Sequence, residues 1–448
     1  MKFLYMVCIF TKHKRTVCLH KSNRILDLGH RKHSYFNNAV KIMNRSLLVT
    51  FRRLAVAAAM AAGTAFAQQA APVKIGVLTD MQSGFSSWSG KGSVIAAQMA
   101  VEDFQRTAGQ LPFKIEVVSA DHQNKADIGS SITRKWLDEG ISAIVDVPNS
   151  AVALAVNFLV RNSNAAFLVS GGGHDALTGK DCSPNTVHWT FDLWSLARNT
   201  ASAAVDRGGD TWYFITADYA GGLGLESVAS KFATAAGAKV IGTTRPALGT
   251  TDYSSFLLQA QSSKAKIVGL AMGGSDFVNA VKQAGEFGLT DGGQKLVALA
   301  VFINDIHGLG LKASKGLIFT TAFYWDQDEG KRAFAKRFAQ RNGGDYPSDV
   351  QAGVYASVLH YLKATTAAGT RAGQTVVAKM KEIPTDDPLF GKGVVRVDGR
   401  QLHDMYVMEV KRPDESRAPW DYLKLVQRIP AEKAFRPANP DECALAKR

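Results

Sequence analysis

The stretch Val73–Gln105 reads VKIGVLTDMQSGFSSWSGKGSVIAAQMAVEDFQ and contains the pattern that decides the fold. Val73–Leu78 is a short apolar, β-branched run, which is typical of a buried parallel strand. Thr79–Gly92 is a polar, glycine-rich turn, and Val94–Phe104 has apolar residues at helical spacing. A strand, a loop at its carboxyl end and a helix start form the place where open α/β sheets bind small ligands.

The chain that follows repeats this strand–loop–helix unit in two series. The predicted strands of the first series are Val73–Leu78, Phe113–Val118, Ala143–Val147, Ala165–Ser170 and Thr186–Thr190. The predicted strands of the second series are Thr211–Thr216, Lys239–Thr244, Ile267–Ala271, Leu296–Val301 and Leu317–Ala322. Strands that alternate with helices predict the α/β class, with helices on both faces of each sheet.

The formal charge of +14 is concentrated at the amino terminus. Residues 1–67 hold 12 of the 53 Lys and Arg residues but one of the 39 acidic residues. The rest of the chain therefore has nearly balanced charge. A balanced surface argues against nucleic acid as a partner.

Residues 43–67 have the pattern of a signal peptide. Arginines precede the short apolar run Leu54–Ala62, and Ala65-Phe66-Ala67 before Gln68 is an A-x-A cleavage site. The apolar run is too short to span a membrane. We expect export to the periplasm by the general secretory route rather than the twin-arginine route. Residues 1–42 fit no signal peptide, so we interpret them as a non-native upstream extension and Met43 as the start.

Two cysteines, Cys182 and Cys443, lie beyond the leader. An even pair in an oxidising compartment predicts a disulfide. The bond would tie the carboxyl-terminal tail to the loop after Leu177. The tail itself, residues 430–448, bears prolines and is expected to lie along the surface.

The sequence matches no known motif for catalysis or for cofactor binding. Gly84 to Gly90-Lys91 resembles a phosphate-binding loop, but the glycine spacing is one residue too long and Gly92 replaces the Ser or Thr. The sequence has no Gly-x-Ser-x-Gly elbow and no metal-ligand spacing of His or Cys. We therefore expect no catalytic residue, no metal and no cofactor.

Polar, glycine and aromatic residues gather instead at the predicted strand ends. Small residues let backbone amides and hydroxyls approach an anion, and aromatic rings offer walls for stacking. The candidate ligand-binding residues at these ends are Phe85, Trp88, Asn149, Ser150, Ser170, Gly171, Gly172, His174, Tyr219, Gly273 and Tyr324.

The order of several features along the chain resembles that of one known family. These features are the leader, the opening strand, the Ser83–Ser89 loop, Asn149-Ser150, Ser170–Gly173 and Gly273-Gly274. The family is the type I periplasmic solute-binding proteins of ABC importers, in the branched-chain (leucine/isoleucine/valine-binding) amino acid family. The resemblance covers roughly Val73–Val426. It implies two doubly wound parallel-sheet lobes, joined by a hinge of three crossings, with the ligand in the cleft between them. The implied first lobe is 73–190 plus 323–403, and the implied second lobe is 191–322 plus 404–429.

The family's ligand contacts carry over by position. Its first-loop aromatic falls on Trp88, and its carboxylate-binding hydroxyl falls on Asn149 or Ser150. The remaining implied contacts fall on Ser170, Gly172, His174, Tyr219 and the Met272–Gly274 region. Amino acid binders also place an acid in the second lobe for the ligand's ammonium group. Here that strand end reads Ala298–Phe302 and has no acid.

A buried ammonium without a carboxylate is very unfavourable. The resemblance, taken together with the missing acid, implies an aromatic or apolar carboxylate as ligand. Trp88, Tyr219, Phe302 and Tyr324 would surround its apolar part. Asp276, Asn304 or Asp305 remain able to reach an ammonium group, so an amino acid or amide is the alternative ligand. The implied partners are an ABC permease with its ATPase subunits, and the protein itself is expected to be a monomer. The rival functions are a ligand-sensing receptor domain and an exported hydrolase.

Overall fold

The computed structural model describes residues 7–10, 16–19, 70–290 and 292–447. In the amino-terminal unit, β1 (Val7–Phe10) and β2 (Thr16–Leu19) pair antiparallel. The predicted signal peptide, residues 43–67, and most of the predicted extension 1–42 lie outside the described residues. Within the part of the chain that is described, no helix is long and apolar enough to cross a membrane.

The first lobe is built on a parallel five-stranded sheet in the order β4-β3-β5-β6-β7. Its strands are β3 (Ala70–Thr79), β4 (Phe113–Asp121), β5 (Ala143–Asp146), β6 (Ala166–Val169) and β7 (Thr186–His188). The intervening helices are α1 (Gly90–Ala108), α2 (Ala126–Asp138) and α3 (Ser150–Val160). Apolar residues of the sheet such as Ala143, Ile144 and Val145 are fully buried, because helices cover both faces of the sheet.

The second lobe contains a parallel four-stranded sheet in the order β11-β10-β8-β9. Its elements are α4 (Leu193–Val205), β8 (Thr211–Thr216), α5 (Ala220–Ala235), β9 (Lys239–Thr244), α6 (Ser254–Ser263), β10 (Ile267–Ala271), α7 (Gly274–Glu286), β11 (Lys295–Ala298), α8 (Ile303–Leu309) and α9 (Leu311–Ser314). An antiparallel sheet of β12 (Ile318–Thr321), β16 (Met405–Val410) and β17 (Leu423–Ile429) packs beside α4.

The chain passes between the lobes three times: between β7 and α4, between β12 and α10, and between β15 and β16. After the second crossing it adds three helices to the first lobe and a small antiparallel ribbon. These elements are α10 (Glu329–Arg341), α11 (Asp349–Ala368), α12 (Gly373–Glu382), β13 (Thr385–Asp387), β14 (Gly391–Val395) and β15 (Gln401–Leu402). Helix α11 packs along α1 and completes the first lobe. The predicted fold class, two parallel-sheet lobes joined by three crossings, is confirmed.

The carboxyl-terminal tail contains α13 (Ala431–Ala434) and a 3₁₀ turn at Ala444–Lys447. Most of the tail is exposed or half-buried, and it is anchored by the buried residues Ala434, Phe435 and Cys443. The predicted disulfide between Cys182 and Cys443 is present, with the two Cα atoms 5.7 Å apart.

In both parallel sheets, successive strands are added on one side of the lobe's first strand and then on its other side, so the strand order reverses there. In the first lobe this switch lies between β3 and β5, and in the second between β8 and β10. Ligands of open α/β sheets bind beyond the carboxyl ends of the strands at such switch points. The loops after these four strands carry Phe85 and Trp88, Asn149 and Ser150, Tyr219, and Gly273.

Candidate functional site

The loop after β3 is held in shape by one buried carboxylate. Asp80 accepts hydrogen bonds from the backbone N–H groups of Ser83 at 2.9 Å and Phe85 at 2.8 Å. The amide of Asn124 donates to the same carboxylate at 2.8 Å. The loop is therefore a rigid support for the two aromatic side chains that it carries.

Five aromatic rings meet where the two lobes face each other. Phe85 and Trp88 of the first lobe stack with centroids 4.9 Å apart, and Phe85 lies 6.1 Å from Tyr219 of the second lobe. Phe302 meets Trp88 edge-on at 4.8 Å and lies 5.1 Å from Phe191. We call this set (Phe85, Trp88, Phe191, Phe302 and Tyr219) the aromatic box. All of its members except the half-buried Tyr219 are buried.

Asp305 places a carboxylate at the edge of the aromatic box. The indole N–H of Trp88 lies 2.8 Å from each of its two oxygens, and the backbone N–H of Phe302 donates to it at 3.0 Å. Asp305 forms no ion pair within the described residues. Burial raises the pKa of this carboxyl group to about 7, because hydrogen bonds alone do not offset the loss of water.

The start of α3 and the loop after β6 pack together in the first lobe. Asn149 caps α3, since its side-chain oxygen accepts hydrogen bonds from Ala151 N–H at 2.9 Å and Val152 N–H at 3.2 Å. Ser150 is buried in the first turn of the helix. Gly171 lies against Pro148, where a Cβ atom would not fit.

The loop after β6 continues towards the aromatic box. Gly172 lies against Ala153 of α3, and Gly173 lies against the ring of Phe191. The loop therefore connects the start of α3 to the aromatic box.

Three predicted contacts are engaged elsewhere. The hydroxyl of Ser170 lies 3.4 Å from that of Ser357 on α11. His174 uses its Nδ1 to accept a hydrogen bond from Ala176 N–H at 3.2 Å, and burial lowers its pKa. Tyr324 donates its hydroxyl to the carbonyl oxygen of Trp420 at 3.3 Å. The structure does not bring these three side chains into contact with the aromatic box.

The two lobes touch along the rim of the cleft. Ser275 N–H at the start of α7 donates to the carbonyl oxygen of Gly84 at 3.0 Å. Gly273 lies directly against the ring of Trp88. Beside this contact a crevice of about 280 Å³ is lined by both lobes, with Phe85 and Asp276 among its walls.

Local sequence patterns identify neither Phe191 as a member of the site nor the position of Asp305 in it. Phe191 lies on the first crossing, directly after the predicted strand Thr186–Thr190, but it was not among the candidates chosen at the strand ends. Asp305 was noted only as an acid able to reach an ammonium group. Its position beside Trp88 depends on a contact between residues 217 positions apart, which no local pattern reveals.

A sequence profile of the periplasmic binding protein family matches residues 72–417. No curated protein matches the sequence. Among solved structures, a periplasmic binding protein from Burkholderia mallei is 47% identical, with a TM-score of 0.79, and the match covers 82% of this chain and 96% of that one.

Two further structures extend the comparison. A branched chain amino acid ABC transporter periplasmic ligand-binding protein from Burkholderia xenovorans is 37% identical over 82% of this chain and 97% of that one, with a TM-score of 0.71. A solute binding protein of an ABC transporter from Rhodopseudomonas palustris, in complex with 3,4-dihydroxybenzoic acid, is 19% identical over 80% of this chain and 98% of that one, with a TM-score of 0.70. The last of these shows the fold alone.

The profile match and the two Burkholderia structures show the family to which this fold belongs. Membership of their family implies a location outside the cytoplasm, a small-molecule ligand and an ABC permease as partner. The chain therefore belongs to the periplasmic binding protein family, as a substrate-binding protein of an ABC transporter that binds its solute without transforming it.

Proposed function

We propose that this protein captures a small carboxylate with an apolar or aromatic body between its lobes and delivers it to a membrane permease. The observation that carries the proposal is the aromatic box, to which both lobes contribute rings. Aromatic walls favour a flat or apolar body by stacking and by excluding water. The R. palustris protein of the same fold, in complex with a dihydroxybenzoic acid, supports this ligand class.

The helix starts around the cleft support a carboxylate as the ligand's polar end. The N-cap residues of α5 and α7 make no side-chain hydrogen bond to the first turns of their helices, whereas the first N–H of α1, at Gly90, already donates to the hydroxyl of Thr79 at 2.8 Å. Helix amino termini carry partial positive charge and favour anions. The hydroxyl of Ser150, in the first turn of α3, adds a further donor in the first lobe.

Ligand capture would proceed by closure of the hinge. A ligand seated on one lobe gains contacts to the other only when the lobes meet, so binding shifts the protein towards the closed form. The contacts from Trp88 to Asp305 and from Ser275 to Gly84 hold the lobes together once they have met. The permease would then recognise the closed form.

Asp305 favours a second candidate, an amino acid. A buried carboxylate without a cation is unfavourable, and a ligand ammonium group would supply the missing charge. In that case the acid comes from the first turn of α8 rather than from the strand end at Ala298–Phe302. The two candidates differ in whether Asp305 must be ionised.

A thermal-denaturation screen of wild type and Asp305→Asn separates the candidates. Asparagine keeps an acceptor for Trp88 and removes the charge. We expect benzoate, 4-hydroxybenzoate or cinnamate to stabilise both proteins, by about 2.7 kcal/mol when the ligand is at 100 times its Kd. Stabilisation by leucine or phenylalanine that disappears in Asp305→Asn would establish the second candidate instead. The exposed Asp252→Asn is the control for charge loss, and no response to any of these compounds would contradict the proposed ligand class.

The pH dependence of affinity gives an independent test. Burial of Asp305 where the two lobes touch raises its pKa to about 7, so in this arrangement the group loses its proton as pH rises from 6 to 8. A bound carboxylate is repelled by the ionised form, so we expect affinity for an aromatic acid to fall over this range. An ammonium ligand requires the ionised form, so its affinity would rise instead. Isothermal titration at pH 6, 7 and 8 measures the sign, and Asp305→Asn should flatten either trend.

A further inference from the structure

The carboxyl-terminal tail starts on the second lobe. It leaves β17 at Ile429 and forms α13 beside the third crossing. The backbone N–H of Ala431 donates to Asp404 at 3.1 Å, and Arg198 of α4 donates to the carbonyl oxygen of Lys433 at 3.1 Å. This end of the tail is therefore anchored to the second lobe.

The middle of the tail lies on the hinge. The ring of Phe435 packs 4.5 Å from the guanidinium of Arg400 and 5.1 Å from the ring of His403. Arg400 donates to the carbonyl oxygen of Trp189, and His403 Nε2 lies 2.7 Å from that of Thr190. Phe435 thus covers the place where the first and third crossings run side by side.

The tail ends on the first lobe. Cys443 is fully buried and is bonded to Cys182, in the loop between β6 and β7. The residue before Cys182 is tied to α3, since Asn157 donates to the carbonyl oxygen of Asp181 at 2.8 Å. The attachment point on the first lobe is therefore a fixed part of that lobe.

We propose that residues 430–443, closed by the disulfide, form a fourth covalent link between the lobes that restricts their rotation about the hinge. The three crossings are continuous main chain, whereas this strap is closed by one disulfide bond between cysteines that are 261 residues apart in sequence. A strap anchored on both lobes disfavours open states in which its anchors move apart. Its release therefore increases the open population of the ligand-free protein.

Two variants test the strap in ligand-free protein. Cys182→Ser/Cys443→Ser removes the bond. An insertion of six Gly and Ser residues between Pro437 and Ala438 keeps the bond but lengthens the strap. The insertion adds little loop entropy, because the cost of closing a loop grows only with the logarithm of its length, so it separates restraint from simple stabilisation by the disulfide. It also keeps the test valid if the cysteine-free protein fails to fold.

Small-angle X-ray scattering and hydrogen–deuterium exchange give the readouts. We expect both variants to show a larger radius of gyration than wild type and about fivefold faster exchange, or more, in the cleft peptide that contains Trp88. The same six-residue insertion between Gly343 and Gly344, in the loop after α10, is the control and should change neither. If the lengthened strap behaves like wild type, the tail does not restrain the hinge and the proposal is wrong. Because no ligand is used, this result is independent of the proposed ligand class.

Discussion

Replacement of Arg400 by methionine should lower the free energy of unfolding by about 3–5 kcal/mol. The guanidinium is fully buried, donates to the carbonyl oxygens of Trp189 and Gln401, and lies 3.9 Å from the carboxylate of Asp192. Methionine roughly keeps the volume but removes the charge and the donors. Asp192 would then lose its neighbouring cation and keep only the hydrogen bond from Ser195 N–H, and two buried carbonyl groups would each lose a donor, which is the costly way to break a buried ion pair.

The neighbouring acid adds to this expectation. Burial, and then the charge of Asp192, raise the pKa of Asp175 to about 7, while Arg400 acts in the opposite direction. The Arg400→Met protein should therefore be most destabilised above pH 7, where Asp175 is ionised.

Urea denaturation at pH 8 compares Arg400→Met with Arg412→Met. Arg412 is exposed and pairs with the exposed Asp414 at 3.1 Å, so its loss should change stability by less than about 0.5 kcal/mol. If the two variants unfold at the same urea concentration, the buried guanidinium of Arg400 contributes nothing to the stability of the protein.

The parallel strands and their helices were predictable because their patterns are local. Strands such as Thr211–Thr216 and Ile267–Ala271 are short apolar runs between polar turns, and the structure ends them at those residues. The sequence pattern likewise predicts a helix over Leu193–Val205, and α4 has these bounds; Asp192 caps it through Ser195 N–H at 2.7 Å. Local signals of this kind fix element type, and strand order then follows from the connections.

Helix starts near glycines were less predictable. The spacing of apolar residues predicts a loop at Gly221 and Gly222 followed by a helix over Leu225–Ala236, but α5 begins at Ala220. Both glycines lie in its first turn because a side chain there would collide, at Gly221 with Tyr219 and at Gly222 with the carbonyl oxygen of Ala217. Packing against neighbours, rather than helix propensity, sets this boundary.

The candidate site was predictable only in part. Rings after the strands of the switch points, such as Trp88 and Tyr219, follow from the topology rule. The same rule also selected Tyr324 after β12, but there Asp349 binds the backbone N–H groups of Ala322 at 2.6 Å and Phe323 at 3.2 Å, and Tyr324 turns to Trp420 instead.

Asp305 was obscured by an apolar run that continues beyond the strand. The pattern predicted a strand over Leu296–Val301, whereas β11 ends at Ala298 and the following residues turn into α8. A helix of seven residues has too few turns to show a clear periodicity. The acid in its first turn therefore gave no local sign that it would meet Trp88.

A single methyl group at Gly274 should abolish tight ligand binding. The Cβ of an alanine there would fall well inside van der Waals contact with the carbonyl oxygen of Gly84, on the opposite lobe. The methyl group would also press on the ring of Phe85. The lobes would then be unable to meet at the rim, and a ligand would keep contacts to one lobe only. We expect affinity for the most stabilising acid of the thermal screen to fall by about a hundredfold or more, which corresponds to about 2.7 kcal/mol.

The backbone itself supplies the matched control. Gly274 has a φ of +60°, and Gly369, at the end of α11, has a φ of +62° with nothing within 4 Å of its Cβ position. Alanine at either site carries the left-handed strain of about 1–2 kcal/mol, so both variants should lose similar stability. Only Gly274→Ala adds the collision across the cleft, so only it should lose affinity in calorimetric titration. Equal affinities in the two variants would mean that the contact between Gly84 and α7 is no part of the ligand-bound state, and that closure occurs through the Trp88–Asp305 contact alone.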